Sequence, residues 1–225
     1  MTYYIAASED SDDLRPTTSE ESMEAYRRTI EKEPRALADL YIDFYGFSQI
    51  EFLVFKDRLS SAVLIANSAE QRIGELESRL EASQQDGSYI VPGWEAESGD
   101  VLSESLGMTN DARGISIGAT IVTAVAALES LLIDLSPEPG SHPRGLQPRL
   151  QTFLRRHVVP EPDKTKIREM GKKLADRRNA FAHLLIGSYW ETDRSVAAMF
   201  TSEAMEDTLY TVGRVAVLMN EIVQA

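Results

Sequence analysis

Apolar positions along this chain recur mainly three and four residues apart, a spacing that predicts helices rather than strands. From Phe47 to Ser83, the residues Ile50, Leu53, Phe55, Leu59, Val63, Leu64, Ile73, Leu76 and Leu80 mark one long helix with a looser point at Asn67-Ser68. Its last third, Glu70 to Glu81, is charged and thinly apolar, the pattern of a projecting or coiled-coil-like end. A central helix is expected over Asp111 to Leu135, stopped by Ser136-Pro-Glu-Pro-Gly140. Gln147 to Val158 predicts a short basic amphipathic helix, Lys164 to Ile186 a longer one, and Glu203 to Val223 a last helix capped by Thr201-Ser202. Upstream, Pro16-Thr-Thr-Ser-Glu-Glu21 has the hydroxyl caps and first-turn acids of a helix reaching Glu33, and Arg35 to Phe44 can form a second, short one. Gln84 to Asn110 contains Gly87, Pro92-Gly93, Gly99 and Gly107 with little periodicity, so a long connection is expected there, a lid or a domain linker. Tyr189 to Phe200 is expected to hold a short extended piece.

The alternation of strands and helices that a doubly wound sheet demands is missing, and the expected class is all-α. Three stretches follow from the pattern. Residues 1–46 form an acidic N-terminal helical extension, 47–110 the long helix and its connection as the first element of the main domain, and 111–225 the main helical domain. With 225 residues and 43% hydrophobic content the chain can bury a real core. There is no cysteine, and the first residues lack a charged segment followed by an apolar one; both point to the cytoplasm. Ile115 to Leu135 is apolar and long enough to span a bilayer, but Glu129 and Asp134 within it are costly in lipid, so a buried core helix and no membrane partner are expected.

The formal net charge of −13 argues against nucleic-acid binding, yet its distribution reverses part of that argument. Residues 1–110 hold 22 acids and 9 bases, whereas residues 111–225 hold 14 of each. Between Arg144 and Arg178 eleven bases stand against four acids, a local basic surface of the kind that binds a phosphate backbone. Arg155, Arg156, Lys166, Lys172 and Lys173 are the RNA-binding candidates within it. Without further chemistry nearby, such a run is an ordinary solvated helix face.

That chemistry is Arg178-Asn179-Ala180-Phe181-Ala182-His183: a permanent cation, a carboxamide and a group that exchanges protons near neutrality, within six residues of one helix. On a helical wheel of about 100° per residue, Ile167, Met170, Leu174, Phe181 and Leu185 form a core stripe, while Lys172, Asp176, Asn179 and His183 share the opposite face. Arg178 falls about 140° from His183, so an isolated helix does not aim the two at one point. His183 sits near the helix C-terminus, where the macrodipole favours the imidazolium. In Ala126-Ala-Leu-Glu129-Ser-Leu-Leu132 an acid is embedded in an apolar run, and a buried Glu129 needs a cationic partner; Arg178 or Arg177 at the core edge is a natural one. A Glu129–arginine pair that only holds the fold is an equally good reading.

The segment Gly171-Lys-Lys-Leu-Ala-Asp-Arg-Arg-Asn-Ala-Phe-Ala-His-Leu-Leu-Ile-Gly187 resembles the signature helix of the HEPN family, whose active members carry an Arg, a polar residue beside it and a His after four to six intervening positions. The run around Glu129 looks like the family's helix with an embedded acid. The resemblance spans about residues 111–225 and implies a HEPN-like helical bundle that cleaves RNA without metal or cofactor. It further implies a homodimer in which two signature helices approach each other and form a composite cleft. In that cleft His183 would act as general acid or base, Arg178 would stabilise charge on the scissile phosphate, and Asn179 would orient phosphate or imidazole, with Glu129, Asp176 and Arg177 supporting. The resemblance places the chain among toxins or phage-defence effectors, which have antitoxins or other regulatory partners. A toxin subgroup carries a tyrosine two residues after the histidine, where Leu185 stands here. The alternatives are a non-catalytic HEPN module that binds RNA or a nucleotide or serves as a dimerising scaffold, and a helical interaction protein whose acidic helices dock a basic partner. His142 and His157 lack partners at ligand spacing, and no metal site is expected. Gly114-Ile-Ser-Ile-Gly118 fits the G-x-S-x-G pattern of serine hydrolases, but the strand required before the serine is missing, so its glycines are expected only to ease a crowded helix start.

Overall fold

Every regular element is helical in the computed structural model, which describes residues 32–42, 44, 46–137, 144–186 and 200–225; no strand occurs among the described residues. A short 3-10 turn, Pro34–Leu40, precedes five α-helices: α1 (Ile50–Asp86), α2 (Glu95–Leu135), α3 (Leu146–Arg156), α4 (Glu161–Ile186) and α5 (Ser202–Gln224). The 3-10 turn stands where a short helix was expected to reach Phe44. The helix expected to end at Glu33, and the extended piece expected over Tyr189 to Phe200, lie outside the described residues except at Lys32, Glu33 and Phe200.

The largest departure from the sequence reading concerns residues 84–110. In place of a long connection, α1 runs on to Asp86, ends on Gly87 in the left-handed conformation (φ 73°), and gives way to α2 at Glu95. The short loop between them is tied down. Trp94 N–H donates to the Val91 carbonyl at 2.9 Å, and Val91 N–H donates to Ser98 Oγ at 3.0 Å. Gly99 and Gly107 are helical positions where a Cβ would meet nothing within 4 Å, each costing about 1 kcal/mol relative to alanine. The cost is offset by contacts distant in sequence. Leu102 and Thr109 are buried, and Arg113 reaches across to Glu70 at 3.1 Å and Glu77 at 2.6 Å on α1. Nor does α1 loosen at Asn67-Ser68, where Ser68 Oγ donates to the Leu64 carbonyl inside an unbroken helix.

The antiparallel α1–α2 hairpin is thus the long axis of the molecule, and the other helices pack on its proximal half. The core joins Phe52, Phe55, Leu59 and Val63 of α1 to Ala124, Val125, Leu128, Leu131 and Leu132 of α2, then to Leu150 and Phe153, Ile167 and Leu174, and Leu209, Val212, Val215 and Met219 of the three remaining helices. Each set keeps the three- and four-residue spacing of one helix face. The α2 helix is long and apolar enough to cross a membrane by length and composition, and its buried apolar residues from Ala124 to Leu132 belong to this core. Thr201 caps α5, its hydroxyl accepting from Ala204 N–H at 3.2 Å.

A smaller cluster of Ile117, Ile121, Phe181 and Phe200 locks α4 against α2. Gly114 and Gly118 do not mark the helix start that the sequence suggested: both lie well inside α2, and Gly118 serves the packing of α4 instead. A Cβ at this position would stand 2.0 Å from the Phe181 ring, so the helices approach this closely only because Gly118 has no side chain, while Gly114 has nothing within 4 Å. Gly118→Ala should therefore lose about 1–3 kcal/mol to overpacking. Gly114→Ala, in open helix surface, should gain about 1 kcal/mol. Urea unfolding of both variants checks this; equal effects would refute the close approach.

Candidate functional site

The α4 helix presents a different chemistry on each side. Ile167, Leu174 and Phe181, seven residues apart, are 0%, 0% and 3% exposed and form the core stripe. Lys172, Asp176, Asn179 and His183 share the exposed face, as the wheel requires, with Lys172 Nζ and Asp176 3.4 Å apart. Between these stripes the two adjacent arginines diverge to opposite flanks. Arg177 turns to α5, where it pairs with Asp207 and donates to Thr208 Oγ1 at 3.0 Å, while Lys173 reaches the same Asp207 carboxylate at 2.7 Å. Burial alone would raise the Asp207 carboxyl, but the hydrogen bonds from Lys173 and Arg177 outweigh it and hold the group below the ordinary aspartate range.

Arg178 turns the other way, to α2. Its Nη1 donates to Glu129 Oε1, and its Nη2 donates to the Asn179 side-chain oxygen at 3.2 Å. The same Nη2 lies beside Gly145 at the start of α3, 3.7 Å from where a Cβ would stand. Glu129, only 14% exposed along its side chain, also receives Arg149 of α3, whose Nη1 lies 3.4 Å from Oε2 and 3.3 Å from the Glu129 backbone carbonyl. A partly buried carboxylate is therefore held between two guanidinium groups supplied by two helices. The expected Glu129–Arg178 pair is present; Arg177 takes no part in it.

The consequence is a linear array. Glu129 fixes one arm of the Arg178 fork, Asn179 takes the other, and His183 lies one turn beyond Asn179 on the same exposed face. A planar cation fixed in this way can grip phosphate through its outward N–H groups, and an exposed imidazole can exchange protons with a ligand on that face. Within one chain, Arg178 and His183 stay on different sides of α4, about 140° apart around its axis.

The basic candidates do not form one patch beside this array. Arg155 and Arg156, exposed at the end of α3, and Lys166, exposed in the first turns of α4, lie at the opposite end of the α3–α4 pair from His183, about 26 Å away along the helix for Lys166. Arg155 donates to Thr152 Oγ1 at 3.2 Å, and Arg156 to the Pro137 carbonyl at 3.5 Å. Of these candidates only Lys172 and Lys173 come as near as about three turns to His183. His157 stacks on Phe153 with ring centroids 4.4 Å apart, and His142 lies outside the described residues.

Sequence reasoning missed Arg149, Asp207 and Thr208. Arg149 is one of eleven bases in its window, and nothing local distinguishes it from its neighbours. No family model matches the chain, and no curated protein and no solved structure matches it either.

Proposed function

We infer that this chain is a metal-independent endoribonuclease of the HEPN type, acting as a cytoplasmic homodimer in the manner of a toxin or phage-defence effector. The observation that carries this reading is the Glu129–Arg178–Asn179 array with His183 exposed one turn further on. Arg178 is held for phosphate, and His183 is free to act on a ribose 2′-hydroxyl or a leaving 5′-oxygen. Because one α4 helix carries arginine and histidine on different sides, the working cleft takes them from two antiparallel copies of the helix. Lys172 and Lys173 extend the backbone contacts from there.

A second reading, a non-catalytic dimerising or RNA-binding module, is favoured by one fact. Glu129 already neutralises Arg178, so the pair can serve the fold alone. Subunit mixing separates the two. Arg178→Ala and His183→Ala proteins, each inactive alone, should regain part of the wild-type RNA cleavage when mixed, through one intact hybrid cleft per heterodimer. A fully active monomer at micromolar concentration would refute the shared cleft, and a stable dimer with no cleavage under any condition would favour the scaffold.

A further inference from the structure

The distal half of the α1–α2 hairpin leaves one apolar face uncovered among the described residues. Trp94, Val101, Met108 and Ile115 recur every seventh residue and are 62%, 62%, 72% and 51% exposed. Four residues after each of the last three stands a small one, Ser105, Ala112 and Ala119, so large and small side chains alternate along a seam. Open grooves of about 470 Å³ and 480 Å³ border its two ends, the first between Trp94 and Leu80, the second between Ile115 and Ile65. Single exposed apolar residues are ordinary, but four in helical register make a patch of the sort that marks an interface. The seam drifts by about 20° per heptad, so a helix laid along it would coil around α2 with left-handed sense.

Charge decides what kind of helix fits. Glu97, Glu104 and Asp111 follow Trp94, Val101 and Met108 by three residues, forming an acidic row about 60° around the helix from the apolar one. Residues 70–113 contain ten acids and three bases, a net −7 out of the −13 of the whole chain, and one of those bases, Arg113, is already held by Glu70 and Glu77. A second copy seated here would bring two such surfaces together, and the phosphates of RNA or of an anionic bilayer would be repelled in the same way. A helix with basic flanks satisfies both the seam and the row beside it.

We propose that this face of the hairpin docks one amphipathic helix of a partner protein, with apolar residues at three- and four-residue spacing and Lys or Arg on the flanks. The site is independent of the ribonuclease reading. Val101 and Glu129 are 28 residues apart on α2, about 42 Å along its axis.

The test uses the full chain and a designed helical peptide of about four heptads, with leucine along the seam and lysine on both flanks. Beside it run a glutamate-flanked version and a scramble of identical composition. Fluorescence anisotropy should show binding of the lysine-flanked peptide only, weakening as salt rises. The double variant Val101→Asp/Met108→Asp adds negative charge, so electrostatics alone would tighten the complex. Loss of the seam should instead weaken it by at least about tenfold. Glu97→Lys/Glu104→Lys should weaken it as well, and neither variant should alter the fold, dimerisation or RNA cleavage. Equal binding of peptide and scramble, unchanged affinity in the Val101/Met108 variant, or no binding at all would overturn the proposal. So would self-association of the wild type that the Val101/Met108 variant abolishes, or seam-dependent binding to anionic vesicles, each of which assigns the face to another occupant.

Discussion

Arg178→Lys should lower RNA turnover by about two to three orders of magnitude, the loss expected when a transition-state donor is removed, while Arg177→Lys turns over nearly as wild type. The two residues are adjacent and chemically identical, so the difference rests on where they point. Arg178 spans Glu129 with one arm and Asn179 with the other. A lysine there can still meet the Glu129 carboxylate as a point charge, but it has no second arm for Asn179 or for a bidentate hold on phosphate. Arg177 instead shares Asp207 with Lys173, and that carboxylate keeps a cation whether position 177 carries a guanidinium or an ammonium. The comparison needs matched thermal stability in the two variants, which the retained positive charge favours in both. The reverse ranking would move the catalytic arginine to position 177 and make the Glu129–Arg178 pair structural.

The helical class and the faces of α4 are legible in the sequence because both depend on local periodicity. Ile167, Leu174 and Phe181 are buried where the wheel puts them, and Lys172, Asp176, Asn179 and His183 are exposed. The Glu129 pairing is legible too, since an acid inside an apolar run has to be neutralised and Arg178 flanks the core stripe. What escapes sequence reasoning is set by packing between helices. Arg149 reaches Glu129 only because α3 lies close against its neighbours, with Leu150 filling the space that a side chain at Gly171 would take. Asp207 gathers Lys173 and Arg177 through the register of α5, which no local pattern encodes. The helix over residues 95–110 was hidden for a related reason. Gly99 and Gly107 are local helix breakers, while the contacts that outweigh them, such as Arg113 to Glu70 and Glu77, come from residues 36 to 43 positions away.

His183 carries the second large effect. It is exposed on α4 and belongs to neither hydrophobic cluster, so its removal should leave the fold unchanged. Loss of a positioned acid or base costs about 10²- to 10⁴-fold in rate. The most direct measurement follows purified protein and single-stranded RNA in excess EDTA, with the new ends identified chemically. Wild-type protein should cut the RNA and leave 2′,3′-cyclic phosphate, the product of 2′-hydroxyl attack, and His183→Ala, with an unchanged melting temperature, should leave it intact. Cleavage that appears only on adding a divalent metal, or that persists at the wild-type rate in His183→Ala, would contradict a ribonuclease built on Arg178, Asn179 and His183.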